Sequence, residues 1–355
     1  MGNKILFIGF ELGSNRNEAV SINFKNHLKY VISKDDEVYT FSLSSKIGVF
    51  KHLLNLNKYI KQIFLIIRSK KITHVHDMFV LPLITLLFLI PIRLKFKQIV
   101  LIKELHNNFG FSKKVNFETI LRFFMSSKAL VYLVLKLVDT MYSRSSYISN
   151  YWKIKYVPQY VYIKPLKTRL YKNINRICYL GHPMRKKGVY LFPELLTRLK
   201  NINRDDIGFS FAFSNLGDRS KITKQISEAA YGSDIKVYFL NEVEPSRFFR
   251  DNDIFILPSV DEHSATSVPN TILESMEAGC VVITSKNNIT SGVIKNGHSG
   301  ILLDKMDLES LLLSINSLVS SKKAYSKISS NSRKYIEVNH DLRYIRKCFK
   351  EIYGK

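Results

Sequence analysis

Cysteine is scarce, and acidic residues are scarce through the middle of the chain. The three cysteines, Cys178, Cys280 and Cys348, are odd in number and widely spaced, which excludes a disulfide framework. No Cys-x-x-Cys or Cys/His cluster offers a zinc site, so a reduced cytosolic compartment is the expectation. Met1 to Phe10 lacks the basic start and small-residue cleavage site of a secretory signal. Long apolar runs are lacking too: Met78 to Ile92, interrupted by Pro82, Thr85 and Pro91, falls short of the roughly 20 residues of a membrane-spanning helix. It reads as a core helix. Internal repeats and low-complexity tails are missing, and 46% hydrophobic with 23% charged residues excludes a disordered or collagen-like chain.

What is present is positive charge. Lys and Arg number 54 against 29 Asp and Glu, a formal net charge of +25. Leu81 to Lys200 holds 22 basic residues against four acidic ones, Glu104, Glu118, Asp139 and Glu194, and so carries +18 of the total. Such a field attracts nucleic acid, anionic head groups or phosphorylated small molecules. The alternative is a surface kept soluble by lysine, and charge alone selects no partner. No nucleic-acid-binding motif accompanies the charge, so nucleic acid is not the expected partner.

At roughly 150 residues per domain, 355 residues imply two domains. Lys4 to Phe10 is an apolar run without alternation, as in strands covered on both faces. Val20, Phe24, Leu28 and Val31 follow at helical spacing. Further strands are expected over Glu37 to Phe41, Ile72 to His76, Gln98 to Lys103 and Val138 to Tyr142. Periodicity lapses near Tyr160 to Asn175, a linker. The rhythm restarts at Arg176 to Gly181, with strands at Ile207 to Phe213, Ile235 to Phe239, Asp253 to Leu257 and Cys280 to Thr284. Beyond Leu303 helices are expected over Leu308 to Leu318 and Leu342 to Ile352, separated by a Ser/Lys-rich segment. Strand–helix alternation implies α/β domains with parallel sheets. Two such domains place a cleft between them, and ligands bind beyond the carboxyl ends of the strands.

Two segments carry the chemistry. Gly181-His-Pro-Met-Arg-Lys-Lys-Gly188 follows a strand and opens a helix. Glycines at both ends free backbone N–H groups where a helix dipole favours an anion, and Arg185, Lys186 and Lys187 add cations there. The plainer reading is a solvated basic turn. Pro269-Asn-Thr-Ile-Leu-Glu-Ser-Met-Glu-Ala-Gly279 reads as a helix, with Pro269 in its first turn, Gly279 at its end and Ile272, Leu273 and Met276 on the core face. Glu274 lies about one turn in, placed to accept hydrogen bonds from hydroxyls or to complement the helix dipole. His74 and His76 share one face of a strand, but no third ligand is evident and no metal site is expected.

Taken together, these segments resemble glycosyltransferase family 4, retaining nucleotide-sugar-dependent enzymes of the GT-B type, over most of the chain. Gly181 and Lys187-Gly188 fall in register with the family's phosphate-binding turn, with His182 at its arginine position. Pro269 to Met276 matches the donor motif apart from Ser275, Asp253 to Ser259 matches the preceding strand, and Asn296 to Leu303 matches a later glycine-rich turn and strand. Counting back from Glu274 places Thr266 where the family has its first glutamate; counting forward from Pro258-Ser259 places Glu262 there. Either Glu262 curls back to the donor sugar, or Thr266 and Ser267 replace it with hydroxyls. With His182 a proton-dependent cation, Arg185 supplies permanent charge. Leu101 to Asn107 resembles the strand whose histidine faces the donor sugar, here His106, and the Gly-Gly loop after the first strand survives as Gly13-Ser14.

The resemblance implies two Rossmann-like domains facing each other across a cleft: residues 1–160 for the acceptor, a linker over 161–175, residues 176–330 for the nucleotide sugar, and a C-terminal helix over 331–355 that crosses back to the first domain. It implies hexosyl transfer from a nucleotide-diphosphate donor to an acceptor hydroxyl with retention. Catalytic roles fall to His106, Lys187 and Glu274. Donor contacts fall to Gly13, Ser14, His182, Arg185, Lys187, Thr266, Ser267, Pro269, Asn270, Thr271 and Glu274, or to Glu262 in place of the hydroxyls. No metal or cofactor is required. A sugar epimerase or phosphorylase of the same fold is the other enzymatic reading. Lys, Asn and Ile richness fits bacterial surface polysaccharide (O-antigen, lipopolysaccharide or capsule) synthesis, with a lipid-linked or saccharide acceptor. A basic aromatic stretch, with Phe109, Phe111, Lys113, Lys114, Arg122 and Lys128, reads either as a core helix with a solvated lysine face or as the surface by which a cytoplasmic enzyme makes peripheral contact with an anionic inner membrane face.

Overall fold

The computed structural model describes residues 2–10, 27–29, 31–44, 52, 54–79, 82–105, 128–161, 163, 174–202, 206–214, 217–259 and 268–354. Two compact units divide the chain: Met1–Gln159 with Leu342–Lys355, and Tyr160–Asp341. In the first unit the elements run β1 (Lys4–Phe10), β2 (Glu37–Leu43), α1 (Leu56–Lys70), β3 (His74–Asp77), α2 (Pro82–Lys95), β4 (Val100–Glu104), α3 (Lys128–Leu137), β5 (Thr140–Ser143), α4 (Ser146–Trp152) and β6 (Lys155–Tyr156). The strands form one sheet in the order β2-β1-β3-β4-β5-β6, every pair parallel. Right-handed crossovers from β2 to β3, β3 to β4, β4 to β5 and β5 to β6 put α1 to α4 on one face. Ile63 and Ile67 of α1, and Ile84, Phe88, Leu89 and Ile92 of α2, pack there on Leu6, Ile8, Val75 and Leu101. Val131 and Val134 of α3 join Ile148 of α4 and Met141.

The apolar run expected as a core helix is α2. Pro82 opens it, where a missing N–H costs nothing, and it continues through Pro91. Beneath it, Lys103 and Asp77 form a buried ion pair at 2.7 Å. The pair is saturated: Thr85 Oγ1 and the Phe79 N–H donate to the carboxylate at 2.7 and 3.1 Å, and Lys103 donates to the Phe79 carbonyl. Satisfied partners of this kind let charge sit in a core.

The second unit runs β7 (Arg176–Gly181), α5 (Leu191–Asn201), β8 (Gly208–Phe213), α6 (Arg219–Ala230), β9 (Val237–Leu240), α7 (Pro245–Arg250), β10 (Ile254–Leu257), α8 (Asn270–Glu277), β11 (Val281–Ser285), β12 (Ile301–Leu303), α9 (Leu308–Ser320) and α10 (Lys322–Asn339). Its sheet is again parallel, in the order β12-β11-β10-β7-β8-β9. Phe209, Phe211 and Phe213 of β8 sit in its core. The Ser/Lys-rich segment is helical: α10 buries Tyr325, Ile328, Ser329, Ser332 and Ile336. Its Tyr325 hydroxyl donates to the Asp253 carbonyl at 2.9 Å, and Ser329 Oγ donates to the Gly279 carbonyl at 2.7 Å.

The chain then returns to the first unit as α11 (Leu342–Tyr353), burying Ile345, Phe349, Ile352 and Tyr353. It lies on the sheet face opposite α1 to α4. The Tyr353 hydroxyl is 2.6 Å from His76 Nδ1 and 3.1 Å from His27 Nε2. The Tyr142 hydroxyl reaches His76 Nε2 at 3.1 Å and donates to Glu104 at 2.8 Å, and Arg144 Nε donates to the same carboxylate at 2.9 Å. Both ring nitrogens of His76 therefore meet phenols. Burial first, then the neighbouring His76 and Arg144, hold the His27 pKa well below its ordinary value. No helix among the described residues is long and apolar enough to cross a membrane.

Candidate active site in the second unit

β7 ends at Gly181, and the chain turns over the carboxyl end of β10 before entering α5. The His182 carbonyl accepts hydrogen bonds from the Tyr179 hydroxyl and the Met184 N–H, both at 2.8 Å. Arg185–Lys187 form a single 3-10 turn closed by Gly188 at φ +71°. A Cβ on Gly188 would lie 1.6 Å from the Pro258 carbonyl oxygen, so glycine alone lets the turn press onto the end of β10. Ser259 Oγ donates to the Lys186 carbonyl at 3.4 Å, and Ser285 Oγ donates to the Ser259 carbonyl. From the other side, Gly217 at φ +84° packs against Pro183, whose carbonyl oxygen would stand 2.7 Å from an added Cβ. His182 Nδ1 lies 2.5 Å from Ser214 Oγ, at the carboxyl end of β8.

The N–H groups of Leu191 and Phe192, which open α5, bond to the carbonyls of Gly188 and Val189 at 3.0 and 3.2 Å. These two donors of the helix start are thus taken up by the turn that precedes it. On the turn itself, Arg185 and Lys186 are exposed and Lys187 is half-buried.

The second segment forms the expected helix. Pro269 stands just before α8 in an extended conformation, its carbonyl accepting from the Ile272 N–H at 3.0 Å. Ile272, Leu273 and Met276 are buried, and Gly279 at φ +84° releases the chain into β11. Ser275 is buried as well, its hydroxyl donating to the Ile272 carbonyl at 2.8 Å. Asn270, Thr271 and Glu274 are half-buried. The Glu274 carboxyl is pushed up to about 7, chiefly by burial and then by the negative charges of Glu244 and Glu277. Glu244 caps α7, its Oε2 accepting from the Arg247 N–H at 2.7 Å. Glu277 also pairs with Arg333 at 3.4 Å.

The structure therefore brings His182, Arg185 and Lys187 onto one turn beside β10, and puts Asn270, Thr271 and Glu274 on the first turns of α8 with Pro269 immediately before them. Gly13, Ser14, His106, Glu262, Thr266 and Ser267 lie outside the described residues, as does the aromatic stretch from Phe109 to Arg122. Ser214, Glu244 and Ser259 escaped the sequence reading. Each lies shortly after the carboxyl end of a strand, where ligands meet open sheets, and that position is the signal that marks them. A cavity of about 730 Å³, lined by residues that include Arg176, Gly208, Lys236, Tyr238, Glu244 and Arg247, holds none of the sequence-predicted site residues. Among the described residues, no group of three side chains is placed to hold a metal ion.

Residues 164–335 match the family described as Glycosyl transferases group 1. No curated protein sequence matches the chain. Among solved structures, the chain is similar to HepE of Anabaena in complex with UDP, with a TM-score of 0.74 at 14% identity over 99% of both chains. A glycosyltransferase from Rickettsia africae aligns with a TM-score of 0.71 at 14% identity, covering 99% of this chain and 98% of that one. Sucrose-phosphate synthase from Thermosynechococcus elongatus aligns with a TM-score of 0.73 at 12% identity, again over 99% and 98%. The fold is that of the GT-B glycosyltransferases, and the second unit carries a group 1 glycosyltransferase domain. The chain is a glycosyltransferase.

Proposed function

We propose that the protein moves a hexose from a nucleoside-diphosphate donor to an acceptor hydroxyl with retention, as family 4 enzymes do. The observation that carries this reading is the placement of Arg185, Lys186 and Lys187 on a turn locked to β10 through Gly188. As the bond from the anomeric carbon to the diphosphate breaks, negative charge develops on the departing phosphate. Fixed cations stabilise that charge more than they stabilise the intact donor, which lowers the barrier. The acceptor oxygen forms the new bond on the same face of the sugar, and its proton passes to the leaving phosphate. Retention rests on the resemblance of the donor motif. With three cations at the turn, no metal ion is required in this reading, and chelation with EDTA should leave the rate unchanged.

Glu274 holds the ribose hydroxyls in this reading. Pro269, Asn270 and Thr271, with Thr266 and Ser267 or Glu262, meet the sugar, and the resemblance adds His106. The similar Anabaena structures hold UDP and UDP-glucose, which supports uridine nucleotides as the first donors to assay. The acceptor is a lipid-linked or saccharide hydroxyl in bacterial surface polysaccharide synthesis, reached from the cytoplasmic face of the membrane. The test is acceptor-dependent release of nucleoside diphosphate across a panel of nucleotide sugars. Lys187→Ala should slow that release about 10²- to 10³-fold, by analogy with loss of one transition-state donor. An unchanged rate would remove the leaving-group reading.

A further inference from the structure

The four helices α1 to α4 contain eight Lys and Arg and no Asp or Glu. The helices of the second unit mix the signs, with Glu194 on α5, Glu228 on α6, Glu309 on α9 and Glu337 on α10. Because α1 to α4 cover one face of their sheet, their outer surfaces point the same way. That outer surface also carries exposed apolar side chains. Leu94 of α2 is 74% exposed, Tyr132 and Leu133 of α3 are 55% and 52%, and Tyr151 of α4 is 50%. Lys128 Nζ stands 5.1 Å from the centre of the Tyr151 ring, and Lys136 Nζ stands 5.4 Å from that of Tyr132. These lysines hold their ammonium groups over the tyrosine rings, so positive charge and aromatic surface share one patch, as in side chains that bridge an apolar layer and a polar one.

We infer that this helix layer docks the protein on an anionic lipid bilayer through the outer faces of α2, α3 and α4. A bilayer offers both things the surface lacks: negative head groups for the lysines, and an interfacial apolar layer for Leu94, Leu133 and the tyrosine rings. A second copy of the same face would bring like charges together, and a nucleic acid would pair the lysines while leaving the leucines in water. Asp139, at the edge of the layer, pairs with Arg93 at 2.5 Å, which leaves Lys95, Lys128 and Lys136 to carry the net positive charge of α2 to α4. The docking does not depend on the sugar-transfer reading, since it is measured without donor or acceptor.

The test is flotation of the full chain with vesicles of phosphatidylcholine alone and of phosphatidylcholine mixed in equal parts with phosphatidylglycerol. Binding is expected to the mixed vesicles only and to fade with added salt. Lys128→Gln with Lys136→Gln should weaken partitioning about 25-fold, roughly fivefold per charge. Leu94→Ser with Leu133→Ser should also reduce it, while Lys224→Gln on α6 should leave it unchanged. All these side chains are exposed, so thermal unfolding of the variants should match the parent and separate lost docking from lost folding. Equal binding to both vesicle types would overturn the inference. So would full retention by the Lys128/Lys136 variant, or concentration-dependent self-association or salt-sensitive polynucleotide binding that consumes the same face in place of lipid.

Discussion

A carboxyl that titrates near neutrality is an unusual companion for a cationic turn. Glu274 keeps its proton up to about pH 7 in the folded protein because burial and the charges of Glu244 and Glu277 all penalise its ionised form. In the unfolded chain the same carboxyl ionises near 4.3. Between those values the folded state holds a proton that the unfolded state has released, so stability falls as pH rises through the window and is level on either side. Glu274→Gln carries no such titration. Urea unfolding of both proteins should show the parent losing on the order of 2 kcal/mol relative to the variant between about pH 5 and about pH 8. A constant difference across that range would mean the carboxyl is solvated as on an open surface. The raised value also fits the proposed role, because ribose hydroxyls donating to the carboxylate would replace the solvation that burial removed.

At the scale of elements, two glycines with nearly the same backbone angle separate steric from conformational demands. Gly188 and Gly297 sit at φ +71° and φ +68°. An added Cβ at Gly188 strikes the Pro258 carbonyl, whereas one at Gly297 meets nothing within 4 Å. Gly297→Ala should cost only left-handed strain, about 1 kcal/mol. Gly188→Ala must also push the turn from Arg185 to Gly188 off β10, so about 3 kcal/mol or more of stability should go and, on the proposed function, the nucleotide affinity with it. Denaturant unfolding and nucleotide titration of the pair check this; equal losses would mean the contact with β10 has no consequence.

Most of these elements were legible because parallel strands covered on both faces leave unbroken apolar runs such as Lys4 to Phe10 and Ile254 to Leu257. α10 was not, because Ser329 and Ser332 occupy its core positions and hide the periodicity that Tyr325, Ile328 and Ile336 alone reveal too sparsely. β6, two residues long, leaves no pattern to find. The site divides in the same way. The turn from Gly181 to Gly188 and the helix from Asn270 are local and declare themselves in sequence. The pairing of His182 with Ser214, and the charge of Glu244 beside Glu274, depend on strands and helices that meet only in the fold.

At the scale of the molecule, the chain leaves the first unit near Gln159 and returns to it at Leu342, so a segment distant in sequence completes that unit's polar core. The Tyr353 hydroxyl is the joint, bridging His76 and His27 at a face where Phe349 also packs. Tyr353→Phe keeps the ring and removes the bridge. It leaves buried imidazole nitrogens without their phenol and should cost about 1–3 kcal/mol. Because each unit has its own core, that loss should stay where the bridge is. Native-state hydrogen exchange gives the readout: amides of β1, β3 and β4 should lose protection while those of β7, β10 and β11 keep theirs. Removing residues 342–355 exposes the apolar face of α11's partners and should carry the same pattern to its limit, with protease cutting confined to the first unit. Loss of protection spread evenly over both units would show instead that the two fold as one cooperative body, and that α11 supports all of it.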